Sequence, residues 1–247
     1  MSIPKFGQPI AACILDLDGT MVDTLGDFEA ALGAMLRALG RPPLARDAIA
    51  RMVGKGSEHL IKSALAGVHA VPTAIENEVG DDLLRTAWQH YQAAYRRING
   101  QHSRVYPGVL EGLRALRARG LPLACLTNKP LAFARPLLAA KGLDGFFGPV
   151  FGGDSFARKK PDPLPLRETC RALGVAPAQA LMIGDSSNDA AAARAAGCPV
   201  ALMRYGYNHG RPVDEVDADG HFDSLAELAA GLPAARHNGM AKEAMPR

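Results

Sequence analysis

Short apolar runs alternate along this chain with longer stretches whose apolar residues recur at helical spacing. The runs are Ala11–Leu17, Pro122–Leu126, Pro149–Phe151, Ala180–Ile183 and Pro199–Met203. Near-continuous hydrophobicity over so few residues predicts strands buried on both faces. Between them, Leu110, Leu113 and Leu116, and then Ala190–Ala196, follow a period near 3.6 and predict helices. This alternation predicts an α/β fold, a Rossmann-like three-layer core with a parallel sheet between helices. Each run ends in a turn or polar cluster: Asp-Gly-Thr, Thr-Asn-Lys-Pro, Gly-Gly-Asp, Gly-Asp-Ser-Ser and Arg-Tyr-Gly-Tyr. Open parallel sheets bind ligands beyond the carboxyl ends of their strands, so chemistry is expected at these clusters.

One interval breaks the alternation. From Thr24 to Ser103 no convincing strand is found, and the pattern is helical throughout. Phe28, Leu32, Met35, Leu36 and Leu39 share one face, Leu60, Ile61 and Leu65 another, and a third segment from about Thr73 to Tyr95 carries Trp88 and Tyr91. That is more chain than a crossover needs, so residues 24–103 are expected to form an inserted all-helical cap. Residues 1–23 and 104–235 then make the catalytic core, with Tyr106-Pro107-Gly108 marking the return to it. The polar, small residues 236–247 read as a flexible tail.

Composition narrows the function classes. The 247 residues are 48% hydrophobic and 21% charged, enough for a full globular core. A net charge of +3 and few aromatics argue against a nucleic-acid surface. No apolar run reaches the roughly 18 residues of a membrane span, and Ile10–Leu17 contains Asp16 and lacks a cleavage pattern, so neither an anchor nor a leader is expected. Cys13, Cys125, Cys170 and Cys198 include no C-x-x-C and no histidine at zinc spacing, and they read as core thiols in a reducing cytoplasm.

The sharpest signal is Asp16-Leu17-Asp18-Gly19-Thr20 at the end of the first apolar run. Residues two apart on a strand face the same way, so both carboxylates converge, at a cost that a cation or a proton must relieve. Gly184-Asp185-Ser186-Ser187-Asn188-Asp189 follows a second run, and its Ser-Ser-Asn stretch caps the next helix. Taken alone, either cluster is an ordinary acidic turn. Together they make a carboxylate-rich pocket suited to a hard cation such as Mg²⁺. Thr127 and Asn128 add a hydroxyl, amide groups and backbone donors, and Lys160 sits on a proline-stiffened loop as a phosphate clamp. These groups fit phosphoryl transfer, in which a first carboxylate takes the phosphoryl group and a second handles the leaving-group and water protons.

At this point the chain resembles the haloacid dehalogenase superfamily of phosphatases. All four motifs stand in order: Asp16–Thr20, Thr127-Asn128, Lys160-Pro161-Asp162-Pro163 and Gly184–Asp189. Within it the chain looks most like the bacterial phosphoglycolate phosphatases, on Tyr106–Val109, Gly152–Ser155, Lys160–Leu166 and Tyr205–Asn208. The resemblance implies that Asp16 is the nucleophile and Asp18 the acid/base. It also implies that Thr127, Asn128 and Lys160 bind the phosphoryl group. Mg²⁺ would be held by Asp16, the Asp18 carbonyl and Asp185, with Asp189 in support. The implied substrate is a small phosphorylated metabolite, most simply 2-phosphoglycolate, for a monomer or homodimer with no nucleic-acid or membrane partner.

The cap is expected to choose the substrate through Gly54-Lys55-Gly56-Ser57, where Lys55 departs from the family's asparagine. This loop fits neither a dinucleotide fingerprint nor a Walker loop. Lys55, or Arg51 one turn earlier, is expected to pair with a substrate carboxylate; an idle lysine on a solvated loop is the alternative. Asp18 argues against a dehalogenase, whose halide needs no proton. Sugar-phosphate, N-acetylmuramate 6-phosphate and pyrophosphate phosphatases and β-phosphoglucomutase-like enzymes share the motifs and stay open. Outside enzymes, a signalling receiver would be about half this length. A silent binding module would have no need of the full acidic set.

Overall fold

A computed structural model describes residues 9–67 and 80–232. Residues 73–79 of the segment expected from Thr73 to Tyr95, and the tail from Arg236, lie outside the described residues. Six parallel strands form the main sheet: β1 (Ala12–Leu15), β4 (Leu123–Leu126), β5 (Val150–Phe151), β6 (Ala180–Gly184), β7 (Val200–Met203) and β8 (Gly220–Phe222), in the order β5-β4-β1-β6-β7-β8. The register sets Cys13 beside Leu123 and Leu181, and Ile183 beside Ala201.

Side-chain alternation splits the core into two layers. Cys13, Leu15, Cys125, Leu181, Ile183 and Met203 pack to one side. Ile14, Leu126, Met182, Val200 and Leu202 pack to the other. Helices cover both faces, as parallel strands with two apolar sides require. They are α5 (Val109–Ala118), α6 (Leu131–Ala140), α7 (Leu164–Leu173), α8 (Ser187–Ala196) and α9 (Leu225–Gly231). Leu113 and Leu116 of α5 are fully buried, as their spacing predicts.

The helical interval holds α1 (Leu25–Ala38), α2 (Arg46–Met52), α3 (Ser57–Ala66) and α4 (Asp81–Ile98). Phe28, Leu32, Met35 and Leu36 meet Leu60, Ile61, Tyr91 and Tyr95 in a third apolar cluster, which also takes in Phe133 from α6. A two-residue antiparallel ribbon, β2 (Val22–Asp23) with β3 (Arg104–Val105), stands where the chain leaves for these helices and returns. The buried Asp27 carboxylate ties the two passages together, accepting from the backbone N–H of Gly100 (2.8 Å) and His102 (2.7 Å).

β1, β4, β5 and β7 are shorter than their apolar runs, and β6 runs one residue further, to Gly184. The first run stops acting as strand after Leu15 because the Leu17 carbonyl accepts from both Met21 and Val22 N–H, folding the chain into a turn. All four cysteines are buried free thiols, and the Cys170 and Cys198 sulfurs lie 3.9 Å apart behind α7 and α8. No helix among the described residues is long and apolar enough to cross a membrane.

Candidate active site

The carboxyl ends of β1, β4 and β6 deliver the polar residues to one place. Asp16 and Asp18 follow β1, Thr127 and Asn128 follow β4, and Asp185 follows β6; each is less than 9% exposed. Gly19, at φ +86°, makes the turn after Asp18, and a Cβ there would run into the Asp185 carboxylate. Only glycine satisfies both demands.

Lys160 joins the strand ends. Its ammonium donates to Asp16 Oδ1 (2.8 Å), Asp189 Oδ1 (2.7 Å) and the Leu126 carbonyl (2.9 Å), which accounts for all three protons. Asn128 fixes the backbone that carries it: Oδ1 accepts from Lys160 N–H (3.0 Å) and Nδ2 donates to the Lys160 carbonyl (2.8 Å). The same Nδ2 also donates to the Gly54 carbonyl (3.0 Å), so this amide bridges the core to the loop before α3.

Asp189 owes its place to helix chemistry. It completes a capping box at the start of α8, where Oδ2 accepts from Ser186 N–H (3.2 Å) and Ser186 Oγ (2.8 Å). That leaves Oδ1 for Lys160. Asp185 accepts from Thr20 Oγ1 (3.0 Å) and from Tyr207 N–H (2.8 Å). The Tyr207 hydroxyl in turn donates to Asp23 Oδ1 (2.7 Å) and accepts from Thr24 N–H (2.8 Å), reaching the ribbon where the helical interval begins.

Burial, opposed by Lys160 and reinforced by the negative charge of Asp189 and Asp18, pushes Asp16 up to about 7. Asp185 is raised well above the usual carboxylate range, by burial first and then by Asp189 and Asp16. Burial alone would lower the Lys160 ammonium, but Asp16 and Asp189 hold it above the ordinary lysine value. Asp16, Asp185 and Asp189 each offer an oxygen, all within 4.8 Å of one another. Crowded hard oxygens whose charge is already unfavourable are what a divalent cation relieves, so the donor set fits one.

The chain matches the family described as haloacid dehalogenase-like hydrolase over residues 10–197, which take in Asp16–Thr20, Thr127-Asn128, Lys160–Pro163 and Gly184–Asp189. The chain belongs to the haloacid dehalogenase-like hydrolases. It is 45% identical over 225 residues to a phosphoglycolate phosphatase of Thiobacillus denitrificans, covering 91% of this chain and 96% of that protein. It is 46% identical over 222 residues to one of Nitrosospira multiformis, covering 90% and 95%. The crystal structure of a predicted phosphoglycolate phosphatase from Haemophilus somnus 129PT superposes with a TM-score of 0.83 at 32% identity, covering 91% and 98%. Among haloacid dehalogenase-like hydrolases the chain is thus an enzyme of the phosphatase kind, a phosphoric monoester hydrolase.

The structure brings Asp16, Asp18, Thr127, Asn128, Lys160, Asp185 and Asp189 together. The Asp18 carboxylate pairs with Lys129 and is not among the three acids whose oxygens cluster. Lys55 and Arg51 are placed elsewhere: Lys55 lies close enough to His59 and His209 to disfavour their charged forms, and the Arg51 stem lies against Gly210. Neither lines the cavity above Asp16 and Asp18.

Sequence reasoning missed Lys129. Its ammonium donates to Asp18 Oδ1 (3.0 Å), with Oδ2 at 3.2 Å, and to the Tyr95 hydroxyl (2.7 Å). It also lies over the rings of Phe28 (4.6 Å) and Tyr95 (4.8 Å). The available signal was its position two residues after Thr127, which repeats the spacing of Asp16 and Asp18.

Proposed function

We propose that the enzyme hydrolyses 2-phosphoglycolate to glycolate and phosphate through an aspartyl-phosphate on Asp16, with Mg²⁺ as cofactor and residues 24–103 as a cap. The observation that carries this is the Lys160 ammonium spanning Asp16 and Asp189 beside Thr127 at the end of a neighbouring strand. The names of relatives that share nine-tenths of the chain support the substrate. Four buried free thiols suit a reducing cytoplasm.

In the first step an Asp16 oxygen attacks phosphorus and the bond to the glycolate oxygen breaks; Asp18 gives that oxygen its proton. In the second step Asp18 takes a proton from water as the water oxygen attacks phosphorus. The bond from phosphorus to Asp16 then breaks, and the carboxylate returns. Thr127 holds a phosphoryl oxygen, the Lys160 ammonium offsets the charge of Asp16 and Asp189 behind it, and Asn128 keeps the Lys160 loop in place. Asp16, the Asp18 carbonyl and Asp185, with Asp189 in support, would hold Mg²⁺, which would supply positive charge against the phosphoryl oxygens.

The test is a substrate profile across 2-phosphoglycolate, hexose phosphates and pyrophosphate, with Mg²⁺ present and then chelated. Turnover should favour 2-phosphoglycolate, cease on chelation, and vanish in Asp16→Asn. Full turnover in Asp16→Asn rules out the covalent route, and preference for another ester replaces the substrate.

A further inference from the structure

We propose that Lys129 is the receptor for the substrate's carboxylate, and that the Asp18 side chain occupies that receptor until substrate arrives. The inference rests on the 2-phosphoglycolate reading and says how this chain achieves that choice.

The cavity above the strand ends is walled by Asp16, Asp18, Thr127 and Lys129 from the core, and by Phe28 and Ser57, among others, from the helices. Lys129 is the sole cation among the described residues that line it. Lys160 stands behind Asp16 with every proton committed to the core. Any anionic group on the non-phosphoryl part of a ligand therefore meets Lys129 first. Only one ester oxygen and one methylene separate phosphorus from carboxylate in 2-phosphoglycolate. Asp16 and Thr127, which would meet the phosphoryl group, line the same cavity as Lys129, so one short ligand can address both.

Lys129 is built as a receptor for a carboxylate. It is 4% exposed, and a buried ammonium is costly without an anion beside it. Its protein partners are one carboxylate, one phenol oxygen and two aromatic faces. An incoming carboxylate can replace Asp18 with little change in what the ammonium receives, because one charge-assisted pair is exchanged for another. The aromatic wall is firm. Tyr95 stacks on Phe28 (5.7 Å) and on Tyr91 (5.5 Å), and meets Phe133 at 4.9 Å.

The exchange also frees the acid/base. Asp18 has both oxygens beside Lys129 and must release them to reach the leaving oxygen. A substrate carboxylate that draws the ammonium away releases Asp18, whereas an uncharged substrate tail leaves the pair closed. The preference should therefore show in kcat as well as KM.

The experiment compares kcat/KM for 2-phosphoglycolate and for ethyl phosphate, which lacks only the carboxylate function, in the wild type, Lys129→Met and Lys129→Gln, each with Mg²⁺. Circular dichroism and melting establish that each variant folds; the near-isosteric Gln variant is read if the Met variant does not. The wild type should prefer the acid, and the preference ratio should fall about 10- to 100-fold in the variant, mostly through the acid substrate. Tyr95→Phe, which leaves the ammonium in place, should lower the same ratio by a smaller factor. Equal losses on both esters in a folded Lys129 variant mean that Lys129 only positions Asp18, and they overturn the proposal. A wild type with no preference for the acid overturns the substrate reading itself, and this is seen before any variant is made.

Discussion

The raised Asp16 carboxyl has a consequence for stability that can be isolated. Its ordinary value is 3.8 and burial carries it to about 7 in the folded, metal-free protein. Between those values the folded state keeps a proton that the unfolded state has lost. Stability contributed by this group is complete below about pH 4, declines as pH rises, and is gone above about 7. From pH 5 to 7.5 the loss covers roughly two pKa units, or about 3 kcal/mol. His59 works in the opposite sense. Burial and Lys55 lower it to about 4, so the unfolded chain binds a proton that the fold does not, and stability rises with pH up to about 6.5. The two trends overlap, and the wild-type profile alone is therefore uninformative.

The informative quantity is the difference between wild type and Asp16→Asn, because the amide does not titrate and His59 is common to both. Urea melts in EDTA at pH 5 and 7.5 give it, provided the slope m is unchanged between the proteins. Loss of the 2.8 Å contact with Lys160 adds a pH-independent offset, and the growth of that ion pair as Asp16 ionises is already contained in its titration. The gap should shift by about 3 kcal/mol in favour of Asp16→Asn as pH rises. With Mg²⁺ present the wild type should recover much of that loss, because a cation stabilises the ionised carboxylate. A gap that is the same at both pH values, metal-free, would falsify the claim that Asp16 is held protonated by its surroundings.

Other outcomes follow from the same contacts. Lys160→Met should lower kcat/KM by about 10²- to 10³-fold, since it removes the charge that offsets Asp16 and Asp189 as a dianionic phosphoryl group approaches, and steady-state kinetics on 2-phosphoglycolate checks it. Asn128→Ala removes both bonds to the Lys160 backbone and the bond to Gly54, and should cost about 1–3 kcal/mol in a denaturant melt together with a fall in kcat. In Gly206→Ala a Cβ collides with the Asp185 side chain, so the Mg²⁺ concentration for half-maximal activity should rise; an unchanged value means Asp185 takes no part in holding the cation.

What the sequence disclosed, and what it hid, divide along a physical line. β1, β4 and β6 were legible because a central parallel strand is apolar on both faces and ends abruptly in a polar turn. The ribbon of β2 and β3 has two residues a side, too few for any period, and β8 begins with Gly220 and His221, neither of which marks a strand. Lys160 was legible because Asp16, Asp185 and Asp189 left a conspicuous negative charge to be answered. Lys129 was not, because its partners are Asp18, 111 positions away, and the aromatic residues Phe28 and Tyr95. On their own helices those rings read as plain core. Lys55 illustrates the converse: a lysine between two glycines invites a ligand role, yet the chain's path puts it beside His59 and His209.

The four acids of the site survive burial because each is answered locally before any ligand binds. Asp16 has Lys160, Asp18 has Lys129, Asp185 has Thr20 and the Tyr207 amide, and Asp189 has its capping box together with Lys160. Two ammonium groups against four carboxylates still leave two negative charges, and the raised Asp16 and Asp185 carry that imbalance. A divalent cation would close it, and a dianionic phosphoryl group would then meet an approximately neutral floor rather than a repulsive one. The two lysines are not equivalent in this respect. Lys160 is bound on all sides by the core and can only stabilise, whereas Lys129 faces the cavity through a partner it can exchange. Charge balance fixed by one lysine and made conditional on ligand by the other would let a single acidic cradle be stable when empty and reactive only when filled by the right anion.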